Sequence, residues 1–208
     1  MRIVCISDTH GRHKKLNVPD GDVLICAGDI TPSGELPHAL SFDRWVGKFN
    51  HKHKLLIAGN HDWCFQNQFR DATIKSLENL TYLEDSEYVA DDIKFYGSPW
   101  QPRFCDWAFN LDRGEPLRQK WELIPDDVNV LITHCGPSMV LDMTANGDRT
   151  GCEDLWFRIN NLRELKLNVF GHIHEDYGHK VINGVHYVNA SNCTEMYALE
   201  NDPIVVDL

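Results

Sequence analysis

A layered α/β sandwich is the fold class predicted for this 208-residue chain, and three observations predict it. Short apolar runs recur along the sequence, each about one strand long and each stopping abruptly at polar residues. Stretches with helical spacing of apolar residues separate the earlier runs. The back half then changes to segments that read as antiparallel strands, so the sheets are expected to mix parallel and antiparallel pairing.

The runs are IVCIS at 3–7, DVLICAG at 22–28, KLLIAG at 54–59, DVNVLIT at 127–133 and LNVFG at 167–171. Apolar throughout, they have the look of a central sheet covered by helices on both faces. Helices are expected over 35–50, where Leu40, Phe42, Trp45, Val46 and Phe49 fall near helical spacing, over 62–80, and over 151–162, with Leu155, Ile159 and Leu162 on one side. Antiparallel strands are expected in 89–100, 179–191 and 202–208, with Asn183-Gly184 as a two-residue hairpin turn. Two loops rich in Trp, Pro and Gly, 97–116 and 136–152, are expected on the surface near a site. No repeat or linker divides the chain, which reads as one domain over 1–208.

Charge narrows the range of partners. Lys plus Arg number 20 against 31 Asp plus Glu, a net charge of −11, and no basic block is long enough to follow a phosphate backbone, so long nucleic acid is disfavoured. A small phosphate ester could still be drawn in by cations that the carboxylates hold. A chain of this size buries roughly 70% of its unfolded surface without help, so a metal here is suspected of chemistry rather than of propping up the core. The seven cysteines are odd in number and never spaced C-x-x-C, which reads as reduced thiols. The opening MRIVCISD has no secretory pattern and no stretch reaches the ~20 apolar residues of a membrane span, so a soluble, cytoplasmic protein is expected.

The residues that end the apolar runs carry the chemistry. They are Asp8 and His10 after the first, Asp29 after the second, Asn60, His61 and Asp62 after the third, His134 after the fourth, and His172 and His174 after the fifth. Ligands of open α/β sheets gather outside the carboxyl ends of strands, so these clusters are expected to converge. A spacing of two, as in Asp8/His10 and His172/His174, lets an extended strand end aim both side chains at one place. Asp8, His10, Asp29, Asn60, His134, His172 and His174 amount to seven nitrogen or oxygen ligands and no thiolate. That is more than one tetrahedral zinc takes, and it suits two divalent ions sharing a bridging carboxylate. Manganese is the first choice, and iron or zinc also accept such ligands. Two cations about 3.5–4 Å apart lower the pKa of a bridging water, hold it in line for attack and neutralise charge on a phosphoryl group, which argues for hydrolysis of a phosphate ester. His61 is the candidate proton donor to the departing oxygen, with Asp62 a candidate to orient it. Catalysis is assigned to His61 together with Asp29 and Asn60.

In order, these pieces are DTH, GD, GNHD, H and GHIH, and the set resembles the calcineurin-like metallophosphoesterase superfamily. GDVLICAGDIT, FYGSPWQP, ITHCGP, VFGHIHEDYG and YVNASNCT are further similar to its metallophosphoesterase-domain-containing branch, across essentially the whole chain. The resemblance implies a four-layer α/β/β/α sandwich. It also implies one metal on Asp8, His10, Asp29 and His174, with Asp29 bridging to a second on Asn60, His134 and His172, and His61 as acid. In vertebrate members of the branch a glycine stands where this chain has His172, weakening one metal site. The intact His172 favours a competent two-metal phosphodiesterase acting on small diesters such as cyclic nucleotides. A nucleotide-binding module with little turnover, a phosphomonoesterase, a protein phosphatase and a nuclease stay open as alternatives.

Other residues receive plainer assignments. His13, His38, His51, His53, His179 and His186 are expected in surface or structural roles, and Trp45, Trp107, Trp121 and Trp156 in the core. Trp63, Trp100 and Phe104 are candidates for a wall on which a nucleobase stacks. Asn192 is expected in a turn, and Cys135 has no base arranged to make it a nucleophile.

Overall fold

The computed structural model describes residues 1–208. Its strands are β1 (Arg2–Ile6), β2 (Val23–Cys26), β3 (His53–Leu56), β4 (Thr81–Tyr82), β5 (Ser86–Ala90), β6 (Ile93–Ser98), β7 (Gln101–Pro102), β8 (Asn110–Leu111), β9 (Val130–Thr133), β10 (Leu167–Phe170), β11 (Gly178–Ile182), β12 (Val185–Asn189) and β13 (Ile204–Asp207). The helices are α1 (Leu36–Val46), α2 (Arg70–Lys75), α3 (Glu115–Trp121) and α4 (Glu153–Ile159).

All five apolar runs form strands, but they divide between two sheets instead of sharing one. The first sheet runs β13-β1-β2-β3-β4 and the second β11-β12-β10-β9-β6-β5. Ile3, Val23, Ile25 and Leu55 on the inner face of the first meet Phe95, Val130, Val169 and Val188 on the inner face of the second. Outside the first sheet, Phe42, Trp45 and Val46 of α1 cover Val4, Leu24 and Leu56. Outside the second, Leu117, Trp121, Leu155 and Ile159 of α3 and α4 cover Leu131 and Tyr187. The result is the expected α/β/β/α stack. A strand buried on both faces reads as a continuous apolar run whichever sheet it joins, so periodicity cannot assign it.

Within the sheets, β1, β2, β3 and β4 are parallel, as are β6, β9, β10 and β12, while β13, β5 and β11 pair antiparallel at the edges. The β11–β12 hairpin turns on Asn183 and Gly184 at φ 51° and 82°, the left-handed pair that a two-residue turn of this kind requires. A parallel bridge between Ser7 and Ser191 ties the two sheets together at the carboxyl ends of their parallel strands.

Two helical expectations change. The segment 62–80 is not one helix but a 3-10 turn at Trp63–Phe65 followed by the six-residue α2. Side chains there compete with the helical ladder: Asn67 Oδ1 accepts the Phe69 N–H at 2.8 Å, and Gln66 Oε1 accepts the Phe109 N–H at 2.7 Å. The seven-residue α3 was not anticipated; its Leu117 and Trp121, four apart, are too few to declare a period. No helix is long and apolar enough to cross a membrane.

Candidate metal centre

Five loops leaving the carboxyl ends of β1, β2, β3, β9 and β10 bring every one of the seven predicted ligands into one pocket. Asp8 and Asp29 lie at its centre, both buried. Asp8 Oδ1 is 3.1 Å from His174 Nε2, and His174 Nε2 is 3.3 Å from His10 Nε2. Asp29 Oδ2 is 3.8 Å from His10 Nε2 and 3.5 Å from His134 Nε2. Asn60 Oδ1 faces His134 Nε2 at 2.9 Å and His172 Nδ1 at 2.8 Å. Asp29 therefore joins two groups of donors.

The backbone bends hard to achieve this. Asp8, His10, Asp29 and His172 adopt φ of 53°, 43°, 52° and 72°, a region that non-glycine residues occupy at a cost and mainly where function holds them there. Backbone carbonyls set the ring orientation. His134 Nδ1 donates to Ala27 O and His174 Nδ1 to Thr194 O, each at 2.9 Å, which leaves both Nε2 atoms turned inward. Asp8 Oδ2 accepts from the His172 N–H and the Ser191 hydroxyl, each at 3.0 Å. Ser191 lies in the YVNASNCT segment but received no role from sequence; the pairing of its strand end with Ser7 makes that role visible.

Electrostatics follow from burial and these pairings. Burial opposes charge on His134, but Asp29 outweighs it and pushes the imidazole up to about 9. His174 is likewise pushed up to about 9, against burial, by Asp8. His10 and His172 lack so close a carboxylate, and burial takes them down to about 4 and about 3.

A family model described as calcineurin-like phosphoesterase matches residues 1–176. The chain is a calcineurin-like phosphoesterase. Among its relatives, Metallophosphoesterase domain-containing protein 1 of Homo sapiens is 41% identical over 230 residues, covering all of this chain and 71% of the relative. A UPF0046 protein of Caenorhabditis elegans is 36% identical over 237 residues, covering all of this chain and 60% of its own. One solved chain at 16% identity superposes with a TM-score of 0.65, over 90% of this chain and 89% of that one. The 5'-nucleotidase precursor from Thermus thermophilus, at 13% identity, gives 0.52 over 91% and 48%. At such identities these two establish the shared fold.

The pocket of this phosphoesterase fits divalent ions on its own chemistry. Two imidazole nitrogens point at one another beside a carboxylate, and a carboxamide oxygen faces two more, all without a thiolate, which is a donor set for Mn²⁺, Fe or Zn²⁺. At pH 7 the metal-free protein keeps protons on His134 and His174, and an ion must displace them. Metal uptake is therefore expected to release protons at pH 7, and apparent affinity to rise with pH up to about 9. Titration calorimetry in two buffers of different ionisation enthalpy checks this; equal heats in both would contradict it.

Glycine matters where backbone meets ligand. A Cβ on Gly59 would sit 2.3 Å from Asp29 Oδ1 and 2.5 Å from His134 Cε1. Gly59→Ala is expected to weaken metal binding by roughly 10–100-fold, the usual scale for disturbing the support of a ligand, as read by dialysis and elemental analysis.

His61 reaches the pocket, with Nε2 4.0 Å from Asp29 Oδ2, and its N–H donates to Asp29 Oδ1 at 2.7 Å. Its orienting partner is not Asp62. Nδ1 donates to the Pro32 carbonyl at 2.7 Å, whereas the buried Asp62 carboxylate accepts from Gly59 N, Thr31 N and Thr31 Oγ1 and so ties two loops together. Burial and the nearby Asp29 push Asp62 up to about 6.

The aromatic assignments shift as well. Trp107, expected in the core, stacks on His61 at 4.2 Å between ring centres. Trp100 is committed elsewhere, donating to Asp85 at 2.9 Å beneath Lys120, and Trp63 packs against the α1 core. Phe104 stays exposed, 6.1 Å from His172. Tyr197, which no motif singled out, places its ring 4.8 Å from that of His10. His13 and His51 are buried in structural roles, as one of the two expectations allowed, and His179 and His186 stack on each other outside the pocket. Asn192 accepts the Ser7 N–H at 3.2 Å and so serves the backbone. Burial pushes the Cys135 thiol well up, consistent with an inert side chain.

Proposed function

We propose that this phosphoesterase hydrolyses small phosphodiesters, cyclic nucleotides among them, at two divalent ions held by Asp8, His10, Asp29 and His174 and by Asn60, His134 and His172, with Asp29 shared. The observation that carries the reading is the position of Asp29 Oδ2, 3.8 Å from His10 Nε2 and 3.5 Å from His134 Nε2, so that one carboxylate oxygen faces both sets. Bound there, such ions supply an acidified water and neutralise the charge that builds on a phosphoryl group.

The chain's own groups do the rest. Asp8 is held for its role by the His172 N–H and Ser191. The Pro32 carbonyl fixes the His61 ring through Nδ1, leaving Nε2 to give a proton to the departing alkoxide. A cleft of about 250 Å³ opens over His172 and is lined by Phe104, Arg113, Thr144 and Thr150, room for the retained half of a small diester. The net charge of −11 supports a small ester over a long polyanion.

The test is to strip the protein of metal, reload it with Mn²⁺, and follow bis(p-nitrophenyl) phosphate and a panel of cyclic nucleotides. Turnover that depends on added metal is expected. A flat trace with two ions bound per chain would overturn the reading.

A further inference from the structure

We propose that Tyr197, together with Trp107, selects a leaving alcohol that carries a flat aromatic ring beside His61, which makes Tyr197 a specificity-determining residue. The inference rests on the phosphodiesterase reading above and adds the class of leaving group.

Tyr197 stands on a turn in which its N–H donates to Thr194 O at 2.8 Å, and its φ of 57° is a left-handed conformation that a bulky side chain keeps only when its surroundings hold it. The same Thr194 carbonyl receives His174 Nδ1 at 2.9 Å, so the turn is locked to a candidate ligand. The ring stands nearly perpendicular to His10 at 4.8 Å and to His174 at 5.7 Å, and lies 6.0 Å from His61. Yet Tyr197 is 40% exposed. One side of the residue packs on the imidazoles and part of it stays exposed, which fits a wall beside them.

Trp107 completes that wall. Its ring stacks on His61 at an interplanar angle of 26°, and it is only partly buried. A leaving oxygen that takes its proton from His61 must come within hydrogen-bond reach of Nε2, and the group it carries then meets these two rings. Aromatic faces and edges reward a planar partner beyond the area they bury, which an alkyl group cannot match. The cleft at Phe104 and His172 accommodates the part of the ester that stays on phosphorus.

The competing role for Tyr197 is a buttress for His10 and His174, and binding can separate the two. Phenyl phosphate and methyl phosphate share a phosphoryl group and differ in the appended surface. Calorimetry on the Mn²⁺-loaded protein is expected to show a preference for phenyl phosphate of about tenfold. Tyr197→Ala should erase most of that preference, and Tyr197→Phe should retain it. Tyr197→Leu keeps apolar bulk without the ring, and supplies the measurement if the alanine variant fails to fold or to take up Mn²⁺. Equal losses for both ligands would reduce Tyr197 to a buttress and overturn the proposal. So would an unchanged preference in the alanine and leucine variants, or a preference that Phe104→Ala abolishes while Tyr197→Ala leaves it intact. The catalytic reading fails separately: selective binding without metal-dependent turnover of bis(p-nitrophenyl) phosphate would sink that reading while keeping Tyr197 as the selective contact.

Discussion

Asp29→Asn is expected to reduce turnover of a phosphodiester by roughly a thousandfold or more and to lower the bound metal from two ions per chain towards one. The substitution is nearly isosteric. The carboxamide oxygen can still accept the His61 N–H that Asp29 Oδ1 accepts at 2.7 Å, so the loop after β3 keeps its anchor. What disappears is the charge at the one oxygen that faces both His10 and His134. Two positive ions brought close together need an anion between them, and a neutral amide cannot supply it. The same change has a readout in metal-free protein. Burial opposes protonation of His134, and Asp29 is the leading influence that pushes it up to about 9, so the variant's His134 should titrate well below that. Histidine NMR titration checks this, and elemental analysis checks the metal count. Two ions bound with near-normal turnover would show that Asp29 is not the shared ligand.

The parts of this site legible in sequence are those that a strand end must present. DTH, GD, GNHD and GHIH each place a ligand just past an apolar run, and the parallel order of β1, β2 and β3 and of β9 and β10 brings those run ends to the same side. The seven predicted ligands meet for that reason. The partition of the runs between two sheets was not legible, because Val23 and Val130 face the same interior and have the same apolar neighbours in sequence. Orientation was not legible either. Asp62 sits beside His61 in the chain, yet the carboxylate turns to Thr31 and Gly59, while the ring is oriented by the carbonyl of Pro32, 29 residues away. Backbone carbonyls leave no trace in a sequence. Tyr197 and Trp107 were missed for a related cause: an isolated aromatic residue in a loop looks the same whether it completes a core or walls a pocket.

The orientation of His61 leads to the second large effect. His61→Asn is expected to slow hydrolysis of a diester with an alkoxide leaving group by roughly 10²–10⁴-fold, the range that a positioned general acid supplies. A p-nitrophenyl ester should lose far less, because p-nitrophenolate departs without needing a proton in the transition state. The contrast follows from geometry. Nδ1 is spent on Pro32 O at 2.7 Å, so Nε2 is the ring atom left to serve the substrate, and the Trp107 ring 4.2 Å away limits how far the imidazole can tilt. Asparagine keeps a polar side chain on the loop but places no titratable proton at the position of Nε2. Metal content should hold near two ions, since His61 is not among the seven proposed ligands. Steady-state rates on paired substrates, one alkyl and one nitrophenyl, give the ratio directly. Equal losses on the two would mean that His61 shapes the pocket without donating the proton. A collapse in bound metal would mean that the imidazole belongs to the ion-holding set, beside Asp29 Oδ2 at 4.0 Å.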